Sequence, residues 1–209
     1  MNYFIQIASG LNVTLRVFAV ALVLSLPLGL IVALLRLSKI TVVRKLAEIY
    51  IWVLRGTPLL LQIVTVFFGL PLIGIKLSRF DSLYLAFVLN YAAYFGEIFR
   101  SGIQSIERGQ IEAASILGFT PLQVNLKIIL PQVIKRTLPS IGNEVITLVK
   151  DTSLVYAVGM SDVLKLAQGI VNRDVTLVPF AIAALIYLFL TYIITKLFNV
   201  IEKKVNYEE

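Results

Sequence analysis

Apolar residues in this chain come in long runs separated by short charged clusters. Val17 to Leu35 carries no charge between Arg16 and Arg36, Gly56 to Ile75 none between Arg55 and Lys76, and Val175 to Thr195 none between Asp174 and Lys196. Two further runs are broken by charge: Ser82 to Phe99 holds Glu97, and Thr137 to Gly159 holds Glu144, Lys150 and Asp151. A helix needs about 20 apolar residues to cross roughly 30 Å of hydrocarbon. The pattern therefore predicts an all-α integral membrane protein with five spans, over about 12–37, 56–75, 81–103, 132–159 and 175–198, in a single domain covering 1–209. Residues 104–131 form the long polar interruption.

Between the first two runs, VVRKLAEIYIWVLRGTP repeats apolar residues at helical spacing, with Val43, Leu46, Ala47, Tyr50, Val53 and Leu54 on one face. Gly56 interrupts the pattern, and Thr57 with Pro58 reads as the N-cap and first position of the next helix. Two arrangements fit. One is an interfacial helix, a break and then a span; the other is a long tilted helix kinked at Pro58, which carries Arg55 deeper into the membrane.

Lys and Arg divide unequally between the flanks of the runs. One side holds Arg36, Lys39, Arg44, Lys45, Arg100, Arg108, Lys127, Lys135, Arg136, Lys203 and Lys204; the other holds Lys76, Arg79, Lys165 and Arg173. The positive-inside bias then puts the N-terminus outside, and the C-terminus and the 104–131 segment in the cytoplasm. Met1 to Leu15 has no basic segment of the signal-peptide kind, so the first run is expected to stay as a span. With 58% hydrophobic and 15% charged residues, the chain is too apolar for a soluble domain. Its net charge of +7 belongs to membrane topology, which makes the lipid bilayer an expected partner and nucleic acid not one. Cys and His are both absent, which removes disulfides, thiol nucleophiles, Cys/His metal sites and imidazole acid–base chemistry. No Gly-Lys dipeptide occurs, so no Walker-type phosphate loop exists, no cofactor is expected, and nucleotide energy must come from a partner.

The polar interruption has helix formers from Gln110 to Leu117, and Gly118 fits the left-handed position just past a helix end. Thr120, Pro121 and Gln123 then spell a capping box with proline in the first turn, so a second helix starts at a sharp angle. Ala113, Ala114, Ser115 and Gly118 leave a surface of little bulk on which Ile111 and Leu117 stand as apolar knobs. Such a surface suits insertion into a groove on another protein; it also suits an ordinary capped connector.

Glu112-Ala113-Ala114, three residues, Gly118, nine residues, Ile128, one residue and Leu130-Pro131 resemble, at every position, the EAA loop of permease subunits from bacterial type I ABC importers. RGTPLLLQ, AAYFGEIFRSGI, ERGQIEAASILG and NEVITLVKDTSL extend the resemblance in order along most of the chain, and are similar to the polar amino acid uptake subfamily. The resemblance implies five spans with the N-terminus outside and a cytoplasmic coupling helix that docks in a cleft of an ABC ATPase. That role would fall on Glu112, Ala113, Ala114, Ser115, Leu117, Gly118 and Pro121. Also implied are a second permease subunit (identical or a paralogue), partner ATPases that bind the ATP, an extracytoplasmic solute-binding protein, an amino acid substrate and a bacterial cytoplasmic membrane.

Polar residues inside spans are costly and mark either a pathway or a helix contact. Asn90, Tyr94, Glu97 and Ser101 follow one helical face of the third span, and Glu144, Thr147 and Asp151 one face of the fourth, bordered by Asn143 and Lys150. Helical rise puts Glu97 and Glu144 at comparable depth in the inner half, with Asp151 nearer the outside. The two stripes are expected to line a solute pathway, closed by a second subunit. Competing roles stay open: Arg55 as a snorkelling cation, Asn90 and Asn143 as interhelical glue, Lys150 and Asp151 as packing or gating groups. If the carboxylates face the pathway, their negative balance against Lys150 ranks basic amino acids first among polar ones. A channel or secondary transporter would also need intramembrane charge, but no self-similar halves and no filter-like loop are present. An intramembrane enzyme lacks the residues for a nucleophile–base pair, and no catalytic residue is expected.

Overall fold

The computed structural model describes residues 2–206, whose regular structure is entirely helical. In chain order the helices are α1 (Tyr3–Ala8), α2 (Leu11–Arg36), α3 (Thr41–Gly56), α4 (Leu59–Val64), α5 (Arg79–Gln104), α6 (Arg108–Ile116), α7 (Pro121–Val124), α8 (Leu130–Asp151), α9 (Val163–Asp174) and α10 (Val178–Asn206). Three stretches are long and apolar enough to cross a bilayer: 3–36, 79–104 and 178–205. Two bent pairs pass only together, namely 41–56 with 59–73, bent by 104°, and 121–158 with 163–174, bent by 57°. Among the described residues, three helices are thus long and apolar enough to span, or up to five spans where each bent pair counts as one.

Local chemistry moves several expected boundaries. Thr57 does not open the second helix; its hydroxyl donates back to the Val53 carbonyl at 2.8 Å, and Pro58 is the extended residue before Leu59. This is the arrangement with a break, and it excludes one continuous kinked helix. The predicted stop at Pro131 does not interrupt the chain either, because α7 runs into α8 through a wide π-helical turn, Asn125–Ile129. A proline ring clashes with the carbonyl four residues back, and widening the preceding turn relieves it. The same device recurs at Thr65–Gly69 before Pro71. The fourth run ends in a 3-10 turn, Thr152–Val158, and α9 follows as a helix that the apolar runs do not predict. Val175 closes α9 with φ 49°, so the last helix starts at Val178.

α5 is the central element. Leu83, Phe87, Tyr91 and Phe95 are buried on it, packed against Val17 and Ala21 of α2, Leu59 and Ile63 of α4, and Val145 and Leu148 of α8. A smaller cluster joins Ile7 of α1 to Val163, Ala167 and Ile170 of α9 and to Ala183 and Ile186 of α10. Leu185, Leu188 and Phe189 of α10 are each more than half exposed, as a lipid-facing surface requires. In hydrocarbon the hydrophobic effect does not drive helices together, so small residues that admit close contact do. A Cβ at Gly29 of α2 would lie 2.6 Å from Phe95 Cβ, and one at Gly96 of α5 would lie 2.8 Å from Val32 Cγ1.

This seam leads to a stability prediction. Gly29→Val or Gly96→Val should cost about 1–3 kcal/mol by overpacking, read as a lower unfolding temperature in detergent. Gly109→Ala, where an added Cβ meets nothing within 4 Å, should leave that temperature in place.

Candidate functional site

The bend between α3 and α4 creates a hydrogen-bonding problem before it creates a site. The Leu54 carbonyl would accept from the N–H four residues on, but that residue is Pro58, which has none. Two side-chain amides replace it: Gln62 Nε2 donates at 2.9 Å and Asn90 Nδ2 at 3.0 Å. Gln62 also donates to the Thr57 carbonyl and hydroxyl at 3.2 and 2.8 Å, and its Oε1 accepts from Asn90 at 3.0 Å. Asn90 is buried. Its whole amide donor therefore serves the elbow, and its place in the expected pathway stripe is a supporting one. Gln62 lay in a run read as a plain span; a polar residue four after a proline was the signal.

From that elbow a chain of polar contacts runs along α5. The Arg55 guanidinium sits over the Tyr94 ring at 5.0 Å and 3.9 Å from Glu97 Oε2. Glu97 is gripped more tightly from its own helix, by Arg100 Nε at 2.9 Å and Arg100 Nη2 at 2.6 Å, and Arg100 also reaches Gln104. Tyr94 stacks at a tilt on Tyr91, 6.2 Å between centroids, and the buried Tyr91 hydroxyl donates to Asp151 Oδ2 at 2.8 Å. The α5 and α8 stripes thus meet through Tyr91 and Asp151. Glu144 is half-buried, with Arg55 and Asp151 as its charged neighbours, and makes no hydrogen bond among the described residues. The negative charge expected on this face is redistributed: Glu97 is answered by Arg100 and Arg55, which leaves Glu144 and Asp151.

The remaining stripe residues separate. Thr147 turns its hydroxyl to the Asn143 carbonyl at 3.0 Å, and the Asn143 side chain is exposed. Ser101 bonds its own helix at the Ile98 carbonyl. Lys150 lines a cleft with Ser153, Leu164, Phe180 and Tyr187. Sequence reasoning missed Asp162, which is fully buried, caps α9 through Leu164 N and Lys165 N at 3.0 Å, and accepts from the Tyr187 hydroxyl at 2.9 Å. An Asp two residues before an apolar-periodic stretch was its signal.

The polar interruption folds as a short capped helix. α6 ends at Leu117, Gly118 takes φ 81°, and the Phe119 and Gly118 amides close on the Ala114 and Ser115 carbonyls at 3.1 Å. The left-handed residue and the crossed closing bonds are what Gly118 was expected to supply. Thr120 and Gln123 complete both halves of the capping box, with Pro121 in the first turn. Glu112, Ala113, Ser115 and Gly118 are exposed. Two details differ from expectation. Ala114 is 3% exposed, so it packs inward, and the outer knob is Ile116 at 87% beside Leu117 at 76%, with Ile111 half-buried. Gln110 of α6 accepts from Gln132 Nε2 of α8 at 2.7 Å, and Arg136 of α8 donates to Ser105 beyond α5. The short helix is thereby tied to the helix that carries Glu144 and Asp151.

Comparison with known proteins agrees with this geometry. A family described as binding-protein-dependent transport system inner membrane component matches residues 25–207. The arginine transport system permease protein ArtQ of Bacillus subtilis is 39% identical over 202 residues, 96% of this chain and 92% of that protein. The putative glutamine transport system permease protein GlnP of Rickettsia conorii is 36% identical over 200 residues, 95% of this chain and 92% of that protein. A crystal structure of an amino acid ABC transporter with histidines superposes with a TM-score of 0.88 at 35% identity, covering 97% of this chain and 95% of that one.

The elbow makes its own prediction. Asn90→Leu takes away one of the two donors to the Leu54 carbonyl and strands Gln62 Oε1, and should destabilise by about 1–3 kcal/mol. Faster amide hydrogen exchange confined to 54–64 would report it; unchanged exchange there would mean Gln62 alone suffices.

Proposed function

This chain belongs to the family of inner membrane components of binding-protein-dependent transport systems, and from that premise we propose that it carries amino acids, cationic ones first, past the Glu144–Asp151 face. It is a multi-pass membrane permease subunit of an ABC importer, and ATP hydrolysis belongs to a partner ATPase. Five crossings, with the N-terminus outside and α6 in the cytoplasm, fit the Lys and Arg distribution. The single observation that carries the substrate reading is the Glu144 carboxylate. It is half-buried, makes no hydrogen bond among the described residues, and has Asp151 beside it.

Arg55 offsets part of the charge on Glu144, and Tyr91 donates to Asp151, but neither gives Glu144 a hydrogen bond, so a half-buried carboxylate there favours a cation that replaces its lost water. A solute ammonium meets that need, and a basic side chain adds a second contact. The relatives whose names cite arginine and glutamine are nearly equally similar, so sequence distance alone does not separate a cationic from a neutral solute. The carboxylates on this face favour the cationic one. A second copy of the chain, or a paralogue, closes the open side of the cavity, and an external binding protein delivers the solute.

Energy enters through α6. Its exposed Ile116 and Leu117, set beside the left-handed Gly118, form a compact apolar tip suited to a groove on the ATPase. The Gln110–Gln132 bond transmits movement of that tip to α8, and hence to Glu144 and Asp151. Pro121 fixes where the helix restarts, so the tip and α8 hold a set angle.

Two outcomes test this function in proteoliposomes holding the assembled transporter. Glu144→Gln should lower ATP-driven arginine uptake roughly tenfold or more, the scale of one lost charge-assisted contact, and glutamine uptake much less; equal loss for both would remove the charge argument. Ile116→Asp should reduce ATPase retention on co-purification by on the order of thirtyfold, as for a central apolar anchor, while the permease stays folded in the membrane. Full retention of the ATPase would show that the tip is only a connector.

A further inference from the structure

An apolar cleft of about 330 Å³ opens between α2 and α3, lined by Leu28, Val32 and Leu35 from one side and by Val43, Leu46 and Tyr50 from the other. Its one polar lining group is already consumed, since the Tyr50 hydroxyl donates to the Leu89 carbonyl at 2.6 Å. Nothing in the transport reading uses this cleft, which lies on the far side of α3 from Arg55 and Glu97.

We propose that the cleft seats an acyl chain of an anionic phospholipid whose headgroup is held by Lys39 and Arg44. Leu28 to Leu35 is seven helical rises, so the cleft runs about 10 Å along α2. Its Leu35 and Val43 end abuts the turn that joins α2 to α3, where Lys39 stands exposed and Arg44 follows Val43 directly. Neither cation has an ion pair among the described residues, whereas Arg36 and Lys45 both lean on Glu48 at 3.5 Å. The other end, at Leu28, points to the middle of the membrane. α3 lies at the membrane boundary, with Trp52 on its opposite face 75% exposed, as an interfacial anchor requires.

An apolar slot that opens beside two cations without ion pairs matches a lipid with a negative headgroup and not a zwitterionic one.

The test uses the full-length protein in phosphatidylcholine nanodiscs doped with a photoactivatable-acyl phosphatidylglycerol or phosphatidylcholine. Adducts are mapped by peptide mass spectrometry. Phosphatidylglycerol should label 28–35 and 43–50 at least about fivefold more than phosphatidylcholine, the scale of one basic residue at a lipid surface. Lys39→Gln with Arg44→Gln should abolish the excess but keep the basal labelling, and Lys203→Gln with Lys204→Gln should keep the excess. Val43→Phe, which fills the slot, should lower labelling by both lipids. Equal labelling by the two lipids would mean annular lipid only and overturn the proposal. So would an excess that survives the double substitution, or a cleft that neither lipid labels because a second copy covers it.

Discussion

Where the chain turns by 104° at Thr57 and Pro58, the Leu54 carbonyl loses its helical donor, because proline has no N–H to give it. A polar backbone group left without a partner costs about 1–3 kcal/mol, so the broken helix needs side chains that stand in for the missing N–H. Gln62 and Asn90 do this from two different helices. Their convergence on one carbonyl fixes the α3–α4 angle and binds it to α5. Together with the Tyr50–Leu89 bond it sets the direction of α3 and the position of Arg55.

Much of the remaining architecture follows from that angle. With α3 turned by 104° from the helix that follows it, Arg55 comes off its last turn against Tyr94 and Glu97, and the groove toward α2 opens on its other side. α5 can receive these contacts because its opposite face is already fixed to α2 through the glycine seam at Gly29 and Gly96. One face of α5 is thus close-packed and the other polar. That division is why the polar stripe from Asn90 to Glu97 is held in register.

The runs of apolar residues and the cap signals were legible in the sequence because each rests on neighbours within a few positions. Gly118, Thr120 and Pro121 stand in the roles their local chemistry dictates, and each apolar run overlaps one long helix or bent helix pair. What was not legible depends on residues far apart in the chain. Asn90 serves the elbow only because Gln62 and Leu54 lie 28 and 36 positions back, and Arg55 reaches Glu97 only across the elbow. Ala114 looked like part of an open surface because a short helix does not announce which side faces its own chain. α9 was lost for a different reason: its apolar face is narrow, its other face is charged, and it is too short to register as a span.

The ion contacts around Glu97 are unequal, and the inequality has a direction. Arg100 holds Glu97 with two short bonds within α5, at 2.9 and 2.6 Å, whereas Arg55 reaches it from α3 at 3.9 Å and rests on a ring face at 5.0 Å. Moving the Arg55 end of α3 off Glu97 therefore disturbs long, partly exposed contacts of the kind worth about 1 kcal/mol or less, while the Tyr50–Leu89 and Asn90–Leu54 bonds hold the rest of α3 to α5. Moving α2 against α5 would instead open a seam where backbones touch. At the other end, Asp162 is fully buried and satisfied by two amides and a hydroxyl, a cluster that low dielectric makes costly to break. The molecule thus resists deformation least along the polar face that joins the elbow to Glu144, with α6 tied through Gln132 to the same helix.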